Sequence, residues 1–230
     1  SIVLMLFSSR ELHFKAGVAD RVSEDSPANI KKAVETAKSS LGKAPALCII
    51  TPNGWNINCD LLIEGLKQAL GESFPIFGGT AGDQWRGTGT YQFYNSNVFT
   101  DAVPFLLIAG PLLFSFGVES GWMPIEEKGK VTQAEKNVVF KISNQSALDY
   151  YKNYLGEDID IGTDVVPGDY PLAVFEEDGK NFYLRALQSF NKEKGSITFT
   201  GNVPEGATVQ ITHANRDKII EGAKNSVNSA

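Results

Sequence analysis

The first third of the chain alternates between two hydrophobic periods, and that alternation narrows the folds open to it. Ile2-Phe7, His13-Ala19, Ala46-Thr51 and Phe74-Phe77 read as strands, and two segments of helical period lie between them. In the first, Ser26 is a capping residue type and Pro27 suits a first turn. Ile30, Ala33, Val34, Ala37 and Leu41 share one apolar face, and Gly42 supplies the stop. The second opens at Asn58 or Asp60, turns Leu61, Leu62, Leu66 and Leu70 inward, and ends at Gly71. Strands interleaved with helices call for a layered sheet with some parallel pairing.

The rest of the chain is punctuated differently. Thr90-Tyr94, Val98-Val103, Phe105-Ala109, Leu112-Val118, Lys130-Thr132 and Val138-Ile142 are short strand candidates separated by Asn, Gly and Pro, a pattern that predicts antiparallel meanders. A short helix follows, capped by Ser143 or Asn144, packing Ala147, Leu148, Tyr151 and Leu155, and stopped by Gly156. The acidic stretch Glu157 to Asp169 reads as a surface loop or a boundary. Leu172-Phe175, Phe182-Leu187, Ser196-Thr200 and Thr208-Thr212 are further strands. Asn215 or Asp217 starts a last helix with Ile219, Ile220 and Ala223 inward. The fold class expected is α/β to α+β, with mixed parallel and antiparallel sheets and flanking helices. It forms one continuous unit with two lobes, residues 1–156 and 170–230.

With 230 residues, 42% of them hydrophobic, the chain can bury a substantial core. A net charge of −6 without a basic run argues against nucleic acid or an anionic membrane as partner. The apolar runs Ile2 to Phe7 and Val103 to Leu113 are too short to span a bilayer. Cys48 and Cys59 make no zinc or disulfide framework, and Cys48 sits in an apolar run as a small hydrophobe, which fits a cytoplasmic setting.

The stretch richest in chemistry is Phe77-Gly78-Gly79-Thr80-Ala81-Gly82-Asp83-Gln84-Trp85. Its glycines remove side chains and let successive N–H groups face one concavity, which receives an anionic or polar group with Asp83 and Trp85 at its rim. The same glycines serve equally in a sharp turn or a close packing contact. The run lacks the Gly-Lys-Ser/Thr of a P-loop and is not GxGxxG. The sequence contains no HExxH, paired-Cys or GxSxG pattern, so a catalytic reading has no nucleophile and base to rest on. Arg185, inside a strand, pairs with a protein carboxylate or receives a ligand carboxylate. Trp122 walls a pocket or fills the core, and Asp83 and Asp101 hold an amino group or cap turns. His13 and His213 are locally bonded imidazoles unless one of them ligates haem.

Several short blocks follow one another along the chain. They are Phe77 to Asp83, Asp101-Ala102-Val103, Ser115 to Pro124, Lys130 to Ala134, Ala147 to Tyr151 with Tyr154-Leu155-Gly156, Leu184-Arg185, and Gly195 to Gly206. Their order resembles the FIST sensory domain, a family of bacterial and archaeal signalling proteins and some F-box proteins, over roughly residues 14 to 224. The resemblance implies a cytoplasmic sensory module rather than an enzyme. Such a module binds a small polar ligand such as an amino acid or a carboxylate and relays it to an output protein or domain. The residues proposed to bind the ligand are Gly78, Gly79, Thr80, Asp83, Trp85, Trp122 and Arg185. No cofactor or metal is expected, nor a nucleic-acid or membrane partner. Two alternatives stand beside this one. A subset of the family resembles haem-dependent nitric-oxide sensors, with His213 or His13 as the axial ligand here; a ligand-free interaction scaffold is the other. The chain departs from the family where Ser120 replaces a frequent His before the Gly-Trp pair. The family also continues past the final helix into a C-terminal region with a Cys-and-Arg-bearing strand, so the chain is expected to be a truncated or a short member.

Overall fold

The computed structural model describes residues 6–55, 57–84, 86, 88–125, 127–156 and 168–230. Its contacts divide the chain into two units, Ser1–Phe114 and Ser115–Ala230. The first unit begins with the expected alternation: β1 (His13–Asp20), α1 (Ser26–Leu41), β2 (Pro45–Ile50), α2 (Cys59–Leu70) and β3 (Ile76–Gly78). Asp25, rather than Ser26, caps α1 by accepting from Ala28 N, and Gly42 ends the helix in the left-handed region at φ 68°. Asn58 caps α2 through Asp60 N, and the N–H of Gly71 closes it on Lys67 O.

A small hairpin of β4 (Gln92–Tyr94) and β5 (Asn97–Phe99) precedes β6 (Ala102–Ala109). The sheet order is β1-β6-β2-β3. Strand β6 runs antiparallel to both β1 and β2, while β2 and β3 are parallel. Among the described residues, parallel contact in this sheet is therefore confined to one strand pair, because β6 inserts between β1 and β2. The sequence pattern breaks this strand at Pro104, yet β6 continues through it. The residue is tolerated because β2 ends opposite it, and Pro104 O accepts from Thr51 N at 3.0 Å just past that end. Alternate residues of β2 and β6 (Cys48, Ile50, Val103, Phe105, Leu107) meet Ile30, Val34, Leu62 and Leu66 of the helices in one core. Gly65 permits the close approach of α2 to α1, since a Cβ there would lie 2.7 Å from Pro27 O.

The second unit comprises β7 (Met123–Pro124), β8 (Gly129–Glu135), β9 (Val138–Ile142), β10 (Gln145–Ser146), α3 (Ala147–Leu155), β11 (Leu172–Phe175), β12 (Phe182–Arg185), β13 (Leu187–Asn191), β14 (Ser196–Phe199), β15 (Thr208–His213) and α4 (Arg216–Ser229). The strands follow the order β12-β11-β15-β8-β9-β14-β13, with β10 beside β9 and β7 beside β15. Every pairing in this sheet is antiparallel. Helix α3 brings Ala147, Leu148, Tyr150 and Tyr151 into a core with Ile142, Leu172, Ile197, Phe199 and Ile211. The mixed architecture expected from the sequence is thus present, with its parallel and antiparallel parts in the expected order.

Several segments differ from their sequence pattern. Leu112–Val118 forms no strand, and Leu113 and Val118 are exposed. Instead the chain from Gly117 to Gly121 lies along α4, backbone against backbone. A Cβ on Gly117 would overlap Ser226 O, one on Gly121 would overlap Lys218 O, and Glu119 N donates to Ser226 Oγ at 2.8 Å. Ser143 and Asn144 do not cap α3. They take φ values of 50° and 64° in the turn after β9, and Ser146 caps the helix by accepting from Asp149 N at 3.0 Å. Phe182-Leu187 is not one strand: β12 pairs with β11, β13 pairs with β14, and the chain changes partner at Ala186. Helix α4 is capped by Asn215 as expected, but it buries Gly222, leaving Ile219, Ile220 and Ala223 exposed. Most of Ile2-Phe7 and of Glu157 to Asp169 lies outside the described residues.

Candidate functional site

In the first unit β2 and β3 end side by side, with Ile50 paired to Gly78, and both chains then leave the sheet as loops. Crevices outside the carboxyl ends of parallel strands are where open α/β sheets bind ligands. Gly78 is pressed so closely on Ile50 that a Cβ would overlap Ile50 O. Gly54 is pressed on Ala81 in the same way, and Ala81 N donates to Pro52 O at 2.8 Å. These contacts fasten the Pro52–Gly54 turn and the glycine run into one layer. Gly79 and Gly82 differ, because among the described residues a Cβ at either would meet nothing within 4 Å. Gly79 and Thr80 are exposed.

Asp83 closes the run as a turn. Its Oδ1 accepts from Arg86 N at 3.2 Å and its Oδ2 from Thr88 N at 2.8 Å. Trp85 lies outside the described residues. Asp101 accepts from Ser23 Oγ at 2.6 Å and caps the neighbouring turn.

Beneath these loops lies a polar network that the sequence pattern did not single out. Asn53, Thr90 and Gln92 are only 6%, 4% and 3% exposed. Asn53 Oδ1 accepts from Trp55 N at 2.9 Å, and Asn53 Nδ2 donates to Trp55 O at 2.8 Å. Thr90 Oγ1 donates to Asn53 Oδ1 at 2.6 Å and accepts from Gln92 Nε2 at 2.9 Å and Gly54 N at 3.3 Å. Gln92 Oε1 is buried without a hydrogen-bond partner among the described residues. The hairpin strand turns Thr90 and Gln92 inward and leaves Tyr91 and Phe93 exposed, the reverse of what residue type suggests. The one available signal was the strict alternation of polar and aromatic residues from Thr90 to Phe93.

The model of the FIST N domain matches residues 1–145, and that of the FIST C domain matches residues 147–230. The chain belongs to the FIST family. FIST domains are signal-transduction sensory domains. This FIST chain is similar to the uncharacterized protein MJ1623 of Methanocaldococcus jannaschii, at 23% identity over 190 residues. The match covers 76% of the chain and 36% of that relative, so the chain spans little more than a third of the relative's length. No solved structure matches the chain.

The remaining candidates of this FIST protein belong to its second unit. Arg185 Nε donates to Asn202 O at 3.0 Å and Nη1 to Leu184 O at 3.3 Å, and the guanidinium lies 4.3 Å over the Tyr183 ring. Trp122 is half-buried just before β7, its backbone N–H donating to Ser120 Oγ at 3.1 Å. The structure therefore brings Gly78, Gly79, Thr80 and Asp83 together on one loop, and places Trp122 and Arg185 on other elements. Of the histidines, His13 Nε2 lies 2.7 Å from Lys43 Nζ, and His213 stacks on Tyr170 at 5.9 Å between ring centres. Burial pushes the Cys48 thiol up to about 12, which keeps it protonated and unreactive. Among the described residues, no group of three or more His, Cys, Asp or Glu could hold a metal ion. No helix among them is long and apolar enough to cross a membrane.

Proposed function

We propose that this FIST protein is a cytoplasmic, non-catalytic sensor that binds a small polar ligand, such as an amino acid or a carboxylate, at the loops after β2 and β3. The observation that carries this reading is the contrast within the glycine run. Gly78 is demanded by packing against Ile50, whereas among the described residues no packing contact accounts for Gly79 and Gly82. Bare backbone at such positions lets a ligand approach N–H groups closely. Gly79 and Thr80 contact the ligand in this reading, Asp83 flanks it, and Gly78 sets the loop's angle. Trp122 and Arg185 are not needed for it.

Occupancy changes output only through a difference in affinity between two states, one of which an output protein or domain recognises. The test is a thermal-shift screen of amino acids and small carboxylates at millimolar concentration, repeated on Gly79→Val. A concentration-dependent rise in melting temperature that Gly79→Val abolishes, with its own unliganded melting unchanged, supports the reading. No shift with any compound refutes it. A variant that loses stability without ligand points to a packing role for the glycine run instead.

A further inference from the structure

We infer that Gln92 Oε1 is a ligand subsite for a hydrogen-bond donor, so that the molecule sensed carries an ammonium group or an equivalent N–H or O–H. This rests on the sensory reading above and specifies the chemistry of its ligand. The assignment follows from hydrogen-bond directions alone. The backbone of Trp55 has fixed polarity: its N–H must donate and its carbonyl must accept. Those two bonds fix which atom of Asn53 is Oδ1 and which is Nδ2. Asn53 Oδ1 is thus an acceptor, and Thr90 must give its single hydroxyl proton to it. Thr90 Oγ1 can then only accept from Gln92, which makes the bonded atom Nε2 and leaves Oε1 facing away from the network. A flip of the Gln92 amide would set two acceptors against each other.

The unpartnered atom is therefore a carbonyl oxygen, and what completes it must be a donor; a carboxylate oxygen is excluded from that position. Buried acceptors of folded proteins are nearly always paired, so one that is not calls for a donor to complete it. This one lies two bonds from Asn53, in the turn that the glycine run packs on. A donor can reach it only if the chain around Thr90 shifts, because Gln92 is 3% exposed. Binding is thereby coupled to a change of shape, as sensing requires.

The experiment is calorimetric titration of the protein with each proteinogenic amino acid and with its desamino acid, which keeps the carboxylate and side chain and lacks the ammonium. The amino compound of the binding pair should bind about tenfold tighter or more, the size expected for one buried charge-assisted hydrogen bond. Gln92→Met, which removes the acceptor at similar volume, should erase that preference while sparing binding of the desamino acid. Equal affinity within the pair overturns the subsite and leaves the sensory reading standing. Silence of every probe overturns both. Should Gln92→Met fail to fold, the wild-type pair comparison still decides. The side-chain amide NMR signal of Gln92 adds a separate reading, for it should move with the amino compound and stay still with the desamino acid. A crystal structure of the free protein with a protein N–H or a ligand-resistant water on Gln92 Oε1 would also sink the inference.

Discussion

Thr90 gives its hydroxyl proton to Asn53 Oδ1 across 2.6 Å, and through that bond two loops 37 residues apart share one polar core. Both residues are nearly inaccessible to water. Replacing Thr90 by Val keeps the shape and takes the acceptor away from Gly54 N and Gln92 Nε2. We expect a loss of about 1–3 kcal/mol, read as a lower urea midpoint at unchanged m, with Thr90→Ser close to wild type.

The glycines of the run should respond in opposite ways. Gly78→Ala sets a methyl group against the Ile50 carbonyl, a backbone atom that cannot step aside. It should destabilise the protein by about 1–3 kcal/mol, whereas Gly79→Ala should stay within about 0.5 kcal/mol of wild type. Paired denaturation curves measure this directly.

Alkaline pH should weaken the fold through buried groups, Cys48, Tyr150 and Tyr151 among them. Unfolded, Cys48 ionises near 9.0; folded, burial holds its proton to about 12. Its stabilising contribution is fully present below pH 9 and is lost as pH climbs towards 12, because only the unfolded chain has released the proton. Burial likewise raises Tyr151 well above its ordinary 10.0, with the same sign from pH 10 upward. Each group adds up to about 1.4 kcal/mol of lost stability per pH unit within its window. Cys48→Ala should flatten the fall between pH 9 and 12, and Tyr151→Phe the fall above pH 10, in melts followed by circular dichroism.

Gly222 is the one position where α4 is fully buried, and a Cβ there would lie 2.6 Å from Gly121 N. Gly222→Val should push the helix off the Gly117–Gly121 segment. Hydrogen exchange should then show α4 amides losing protection while β8, β9 and β14 keep theirs.

The alternating start of the chain was legible because its signals are local: caps, stops and an apolar face lie within one element. Even there Asp25 replaced Ser26 as the cap, a choice between adjacent residues of equal capping type. Topology was less legible, since β6 enters between β1 and β2 from far along the chain. The inward turn of Gln92 could not be read, because alternation reveals two faces without saying which one meets the core. The apolar residues of α4 misled for a related reason: Gly222, with Gly117 and Gly121 of the segment it faces, lets backbone come closer than any side chain could. At the candidate site, the glycine run stood out by composition, while its polar support was scattered over Asn53, Thr90 and Gln92 and became one object only through folding.

The arrangement of the first sheet separates what can vary from what cannot. Register is set on the β6 side, where eight residues of β1 and most of β2 are paired, whereas β3 contributes only three residues at the edge. Beyond β3, Ala81 ties the glycine run to the Pro52–Gly54 turn, while a Cβ at Gly79 or Gly82 would meet nothing within 4 Å among the described residues. Side chains can therefore be added at Gly79 and Gly82 without touching the anchor at Ala81 or the strand pairing at Gly78, so the loop's outer surface is free to change while the scaffold beneath it is inherited unchanged.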